Sequence, residues 1–165
     1  MKQSTLIYVL GGALIVAGIV WGLTQKGQGA DSSFLSASAF SLQERAYDFG
    51  TISMKNGVVS RDFLLENKGT DPIFINKTYT SCMCTTAVLL DKDGRRLGTF
   101  GMPGHGASTA RVTVAAGETL TLRAVFDPAA HGPSGVGLAE RGIYLETNSK
   151  ETPKVEVLLR AQVTP

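Results

Sequence analysis

Two cysteines in 165 residues are too few for a disulfide framework, since small disulfide-held domains use at least about four. Charge is scarce too: Asp, Glu, Lys and Arg make up 18% of the chain, against about 25% in an average soluble domain. A surplus of either sign is missing as well. Lys2 and Lys26 are the basic residues of the first thirty positions, and from Asp31 onward 14 basic residues face 14 acidic ones. With no basic block and no net field, the body argues against a DNA- or RNA-binding role. Sustained heptads are absent, which excludes a coiled coil, and only one long apolar run exists, which excludes a polytopic membrane protein. Present in quantity are 19 glycines, with 6 prolines, so the chain turns often. Its length suits one domain with appendages.

The apolar run is Leu6 to Leu23, LIYVLGGALIVAGIVWGL, 18 residues without a charge. As a helix it would measure about 27 Å, close to the hydrocarbon thickness of a bilayer. A signal peptide has a shorter apolar region, about 7–15 residues, followed by a small-residue cleavage site. The nearest small pair here, Gly27 and Gly29, makes a poor one, and no cysteine in the first thirty residues invites lipoprotein processing. The run therefore reads as an uncleaved anchor over residues 6–23 behind a short cytoplasmic tail, residues 1–5. A cleaved signal peptide is the alternative. Trp21 falls where an interfacial aromatic belongs. Residues 24–44 are rich in Gly, Gln, Ser and Ala without periodicity and read as a tether, from which Phe34, Leu35 and Phe40 are free to pack on the base of the domain.

From Arg45 the pattern becomes short strands between turn residues. Strands are expected at 47–53, 58–66, 73–80, 87–91, 111–114, 119–126, 142–147 and 155–163. Within 119–126 Leu120, Leu122, Ala124 and Phe126 alternate with Thr119, Thr121, Arg123 and Val125, a period of two. Asp93-Gly94 is a hairpin signal. No amphipathic helix longer than a turn is expected after the anchor. This pattern predicts an all-β antiparallel sandwich over residues 45–165. Phe49, Phe63, Leu65, Leu122, Phe126 and Leu145 are its expected core. Two long loops interrupt the spacing: 98–106 (GTFGMPGHG) and 127–137 (DPAAHGPSGVG). Loops of that length in a compact domain are usually functional or mobile.

Three strings occur in a distinctive order: Tyr47-Asp48-Phe49-Gly50-Thr51-Ile52, Phe63-Leu64-Leu65-Glu66-Asn67-Lys68-Gly69 and Ser81-Cys82-Met83-Cys84-Thr85-Thr86. They resemble the bacterial family known as domain of unknown function 1573. The likeness runs on through Ala116-Gly117-Glu118, Phe126-Asp127-Pro128 and Thr147-Asn148 to the last strand. It implies an immunoglobulin-like sandwich of the major-sperm-protein and Hydin type. The family's usual cysteine motif is Cys-Gly-Cys-Thr, and Met83 replaces its glycine here. The resemblance implies no activity.

Chemistry is carried by few residues. Cys82 and Cys84 are two apart, so on an extended segment both sulfurs share a face, and a bond between them would be strained and easily reduced. Two thiolates on one face suit copper(I) or zinc, with Met102, His105 and His131 as further ligands from the two long loops. The same residues would serve a thiol redox protein, but no orienting group for a histidine base can be named and the helix N-terminus that activates thioredoxin-like thiols is absent. Equally, the cysteines are small apolar residues that simply pack. No catalytic residue set is complete. The expected protein is a single-pass membrane protein displaying a non-catalytic binding or structural module outside the cytoplasm, toward an envelope partner. A copper or zinc module is the alternative, and a thiol redox protein stands behind it.

Overall fold

The computed structural model describes residues 34–165. The expected tail, anchor and the tether up to residue 33 lie outside them. Among the described residues no helix is long and apolar enough to cross a membrane.

Ten strands form two five-stranded sheets: β1 Phe40–Leu42, β2 Ala46–Ser53, β3 Val59–Asn67, β4 Ile73–Thr80, β5 Thr85–Leu90, β6 Arg96–Phe100, β7 Thr109–Val114, β8 Thr119–Phe126, β9 Gly137–Thr147 and β10 Lys154–Thr164. One sheet runs β1-β3-β8-β5-β6, the other β2-β10-β9-β4-β7. Among the described residues helical content is confined to two short 3₁₀ turns, Met54–Asn56 and Gly132–Gly135. Strand period two makes the core. On β8, Leu120, Leu122, Ala124 and Phe126 point inward, and on β10 Val155, Val157, Leu159, Ala161 and Val163 do the same. All nine are buried and join Phe63, Leu65, Ile73, Ile75, Ile143 and Leu145 in one cluster between the sheets. Fully burying a Leu, Ile or Phe stabilises by about 1.5–3 kcal/mol, so this layer holds the sheets together.

Five of the six expected core residues are fully buried, whereas Phe49 is half-buried and packs on the cluster's rim, edge-on to Tyr47. It lies on β2, which among the described residues is an edge strand with only β10 beside it.

Four further points correct the sequence reading. The sandwich is not wholly antiparallel: β2 runs parallel to β10. The Gly98–Gly106 loop is shorter than expected, because Gly98 to Phe100 belong to β6, where the Phe100 ring lies across Gly98. At the other long loop, β9 begins at Gly137 rather than 142. The tether, finally, ends earlier than residue 44. Ser36 bridges Ser149, Ser38 is buried, and Phe40 opens β1 against Asn67 of β3. Small polar side chains make this docking possible. Ser38 Oγ accepts from Asp71 N at 2.9 Å, Ser149 Oγ donates to Ser38 O at 2.6 Å, and Gly69 leaves the room that Ser38 fills.

The sandwich has two distinct ends. The Ser36–Ser38 strap sits at one, with the 67–72 and 148–153 turns. The β4–β5 turn, the start of β9 and the end of β10 lie at the other, because β4 spans the 8 residues from Ile73 to Thr80, about 25 Å at 3.3 Å per residue.

Candidate functional site

The site is built at the far end by the β4–β5 connection. Residues 82–85 form a turn in which Thr85 N donates to Cys82 O at 3.1 Å, so the segment is not extended as expected. Thr80 Oγ1 lies 2.9 Å from Cys82 O and 3.1 Å from Thr85 O, fixing both ends of the turn. Arg111, not Met83, is the non-glycine residue of positive φ among the described residues. The turn therefore asks for no glycine at 83, and Met83 stands exposed at its tip.

Folding the segment into a turn brings the cysteine Cα atoms to 5.3 Å and pairs the two sulfurs as a disulfide. The two positions differ. Cys82 is half-buried, while Cys84 is buried, 3% exposed, and belongs to the core cluster. Cys84 N also donates to Cys82 Sγ at 3.3 Å.

His131 arrives from the β8–β9 loop. Asp127 starts that loop by donating its N–H to Cys84 O at 2.9 Å, and its carboxylate accepts from Ala129 N at 2.9 Å. Gly132, at φ +56, turns the chain after the histidine; the left-handed region is open to glycine without strain. The result places His131 Nε2 3.1 Å from Cys82 Sγ. The Sγ atoms of Cys82 and Cys84 and a ring nitrogen of His131 all lie within 4.8 Å of one another.

A residue missed in the sequence completes the site. Arg141 Nε donates to Cys84 Sγ at 3.0 Å, its Nη1 donates to Glu140 O at 2.8 Å, and its guanidinium lies over the Phe126 ring at 5.7 Å. Arg141 shares strand parity with Ala139, Ile143 and Leu145, all buried. A charged residue on the inward parity of a core strand was the signal available. Each sulfur thus has its own nitrogen partner: imidazole on Cys82, guanidinium on Cys84.

His105 and Met102 do not join them. Their loop closes on itself, with His105 N donating to Met102 O at 2.9 Å and Gly101 N to Ala107 O at 3.2 Å. It is held against β4 by Thr80 N on Gly101 O and Thr78 N on Ser108 O. His105 is exposed there, outside the sulfur cluster. The five expected metal ligands reduce to three that converge: Cys82, Cys84 and His131.

In class, the described residues form an all-β sandwich with a cysteine pair in one of the turns that pass between its two sheets. The model of the family described as protein of unknown function (DUF1573) matches residues 40–94, from β1 through the β5–β6 turn and including the Cys-Met-Cys segment. That match supports the domain family for this segment; His131 and Arg141 fall outside it. No curated protein matches the chain. A protein of unknown function from Porphyromonas gingivalis W83 superposes with a TM-score of 0.57 at 16% identity, over 81% of this chain and 51% of its own. The chain therefore spans about half the length of that protein. The ASH/PapD-like domain of human CEP192 superposes with a TM-score of 0.45 at 15% identity, over 85% of this chain and 96% of its own. At such identities the likeness concerns the fold alone.

Proposed function

We propose that the chain is a membrane-tethered envelope module, immunoglobulin-like in fold, whose working element is the Cys82–Cys84 pair acting by thiol–disulfide exchange. One observation carries this reading: His131 and Arg141, from a separate loop and strand, each meet a different sulfur of the pair. A cationic or basic neighbour favours the thiolate, the form that exchanges. Cysteines that merely packed would not need two nitrogen partners. An exported body also suits a pair that is stored oxidised. Two nitrogen partners support the thiol reading over a purely structural module: His131, a candidate from the sequence, is joined by Arg141, which the sequence reading did not offer.

A second reading keeps the same residues as a copper(I) or zinc site, favoured by the 4.8 Å convergence of two sulfurs and one imidazole. It requires a reduced pair and a cation beside the Arg141 guanidinium, and that repulsion argues against it.

The test uses the full chain in detergent, equilibrated across glutathione redox buffers, with thiols alkylated and counted by mass spectrometry. Reversible loss and gain of two thiols is the expected result. A pair that stays bonded in excess dithiothreitol, or stays reduced in excess glutathione disulfide, refutes the reading. Added zinc or copper(I) holding the pair as thiolates in an oxidising buffer would favour the metal site instead.

A further inference from the structure

The two cysteines differ in surroundings, and the difference gives the exchange a direction. We infer that an external thiol attacks Cys82 and that Cys84 is the leaving thiolate, held by Arg141. This inference rests on the thiol-exchange reading and names the role of each group within it.

Access comes first. Cys82 is half-buried at the start of the turn, next to exposed Met83, whereas Cys84 is 3% exposed and packed among apolar residues. A nucleophile must reach the sulfur it attacks, and of the two residues Cys82 is the more exposed. Electrostatics point the same way. The sulfur that leaves must carry a full negative charge, and a buried thiolate without a partner is costly. At Cys84 the Arg141 Nε–H at 3.0 Å supplies that partner, a charge-assisted donor already in place. Thr85 Oγ1 lies 3.7 Å from the same sulfur. The other titratable groups packed around Cys84 do not undo this. His131 is bonded to the Cys82 sulfur, and the Asp127 carboxylate is turned to Ala129 N. Arg141 is itself fixed, by Glu140 O and the face of Phe126, so little rearrangement is needed when the bond breaks.

The step balances with a thiolate as reductant. The incoming sulfur forms a bond to Cys82 Sγ, the Cys82–Cys84 bond breaks, and its electron pair stays on Cys84 as thiolate. A second thiolate then attacks the external sulfur of the mixed disulfide. It leaves with that sulfur as a new disulfide, and Cys82 remains as a thiolate hydrogen-bonded to His131. Two external thiols are oxidised and one protein disulfide is reduced. Run in reverse, Cys84 is the resolving thiolate that closes on a Cys82 mixed disulfide. The substrate class is therefore a small or protein thiol that reaches a half-buried sulfur at the end of a sandwich.

The experiment treats the full chain in detergent with limiting reduced glutathione, quenches with acid, alkylates the free thiol and maps both modifications by peptide mass spectrometry. Glutathione on Cys82 and the alkyl group on Cys84, in a ratio of about ten or more, is the expected result. In Arg141→Gln the leaving thiolate loses its cation, so the rate should fall on the order of tenfold and adducts should spread to both cysteines. Arg141→Lys keeps a positive charge and should recover part of both rate and preference. The site of the adduct is a readout that loosened packing alone would not redirect to Cys82 in the lysine variant. Equal adducts on the two cysteines of the wild type overturn the direction while leaving thiol exchange intact, and an unchanged rate and preference in Arg141→Gln overturns the role given to Arg141. Absence of any adduct at either cysteine overturns the exchange itself, and the inference with it.

Discussion

Asn67 offers the sharpest test of how the strap end of the sandwich is held. It is the last residue of β3 and has no exposure at all. Its amide nitrogen lies 2.9 Å from Asp71 O, 3.0 Å from Val114 O and 3.1 Å from Ala115 O, and its Oδ1 accepts from Gly69 N at 3.1 Å. One side chain therefore closes the β3–β4 turn and ties it to the β7–β8 turn, which belongs to both sheets. Replacing Asn67 by Ala removes two donor hydrogens and one acceptor. At about 1 kcal/mol per net hydrogen bond, with a further cost for stranded carbonyls, the loss should be roughly 3 kcal/mol. That is a large part of the 5–15 kcal/mol available to an ordinary domain. With a urea m-value of about 2 kcal/mol/M, the unfolding midpoint should drop by about 1.5 M. Asn67→Asp keeps the acceptor but sets a carboxylate against three carbonyl oxygens in a buried site, so it should destabilise more than Ala does. Urea titrations followed by far-ultraviolet circular dichroism would decide it. A midpoint shift below about 0.5 M for Ala, or an Asp variant as stable as wild type, would refute the account.

Two further expectations are independent of the site. Arg111 holds φ +53 on β7, where the pairing with β4 slips between Ile75 and Lys77. Arg111→Gly should relieve that left-handed strain and raise stability by about 0.5–1 kcal/mol net, read as a higher melting temperature; a lower one would refute it. Asp62 is held below the usual carboxylate range, mainly by the hydrogen bond from Arg123, whose Nε lies 2.7 Å from Asp62 Oδ1. A lowered folded-state value means the pair's stabilisation is present above about pH 4 and fades as acid titrates Asp62. Because the pair is well exposed the effect is small. The stability gap between wild type and Asp62→Asn, measured by denaturant titration, should narrow as the pH falls through and below the usual carboxylate range, and a gap that does not depend on pH would refute it.

The fold was legible wherever local chemistry decides it. β4 and β8 fall on the expected residues, because β-branched runs and strict alternation are local signals. The Asp93-Gly94 turn formed as read, with Gly94 at φ +78. What escaped depends on partners distant in sequence. β1 is three residues, Phe40–Leu42, whose strand character comes from β3 beside it. β6 carries Gly98, which weakens any strand pattern until the Phe100 ring is seen to fill its place. The parallel β2–β10 pairing leaves no local trace. At the site, the spacing of Cys82 and Cys84 and the length of the second loop pointed to the right segments. Their meeting with His131 rests on a turn started by Asp127 and completed by Gly132, and His105 failed to join because its own loop closes locally. Arg141 was readable in principle, as an inward-facing charge, but only once the parity of β9 is known.

The parallel pairing also sets an order of assembly as the chain leaves the ribosome. Ser53 Oγ donates to the carbonyl of Pro165, 112 residues later, and among the described residues β2 has no neighbour in its sheet except β10. One of the first strands to be made must therefore wait, unpaired, for the last. The other sheet is complete once Phe126 has emerged, since β1, β3, β5, β6 and β8 all precede that point. Cys82 and Cys84, on the turn before β5, precede His131 and Arg141 in the chain. Along the chain the cysteine turn thus comes first, its nitrogen partners His131 and Arg141 later, and the closing edge strand last. Long-range closure of this kind slows folding.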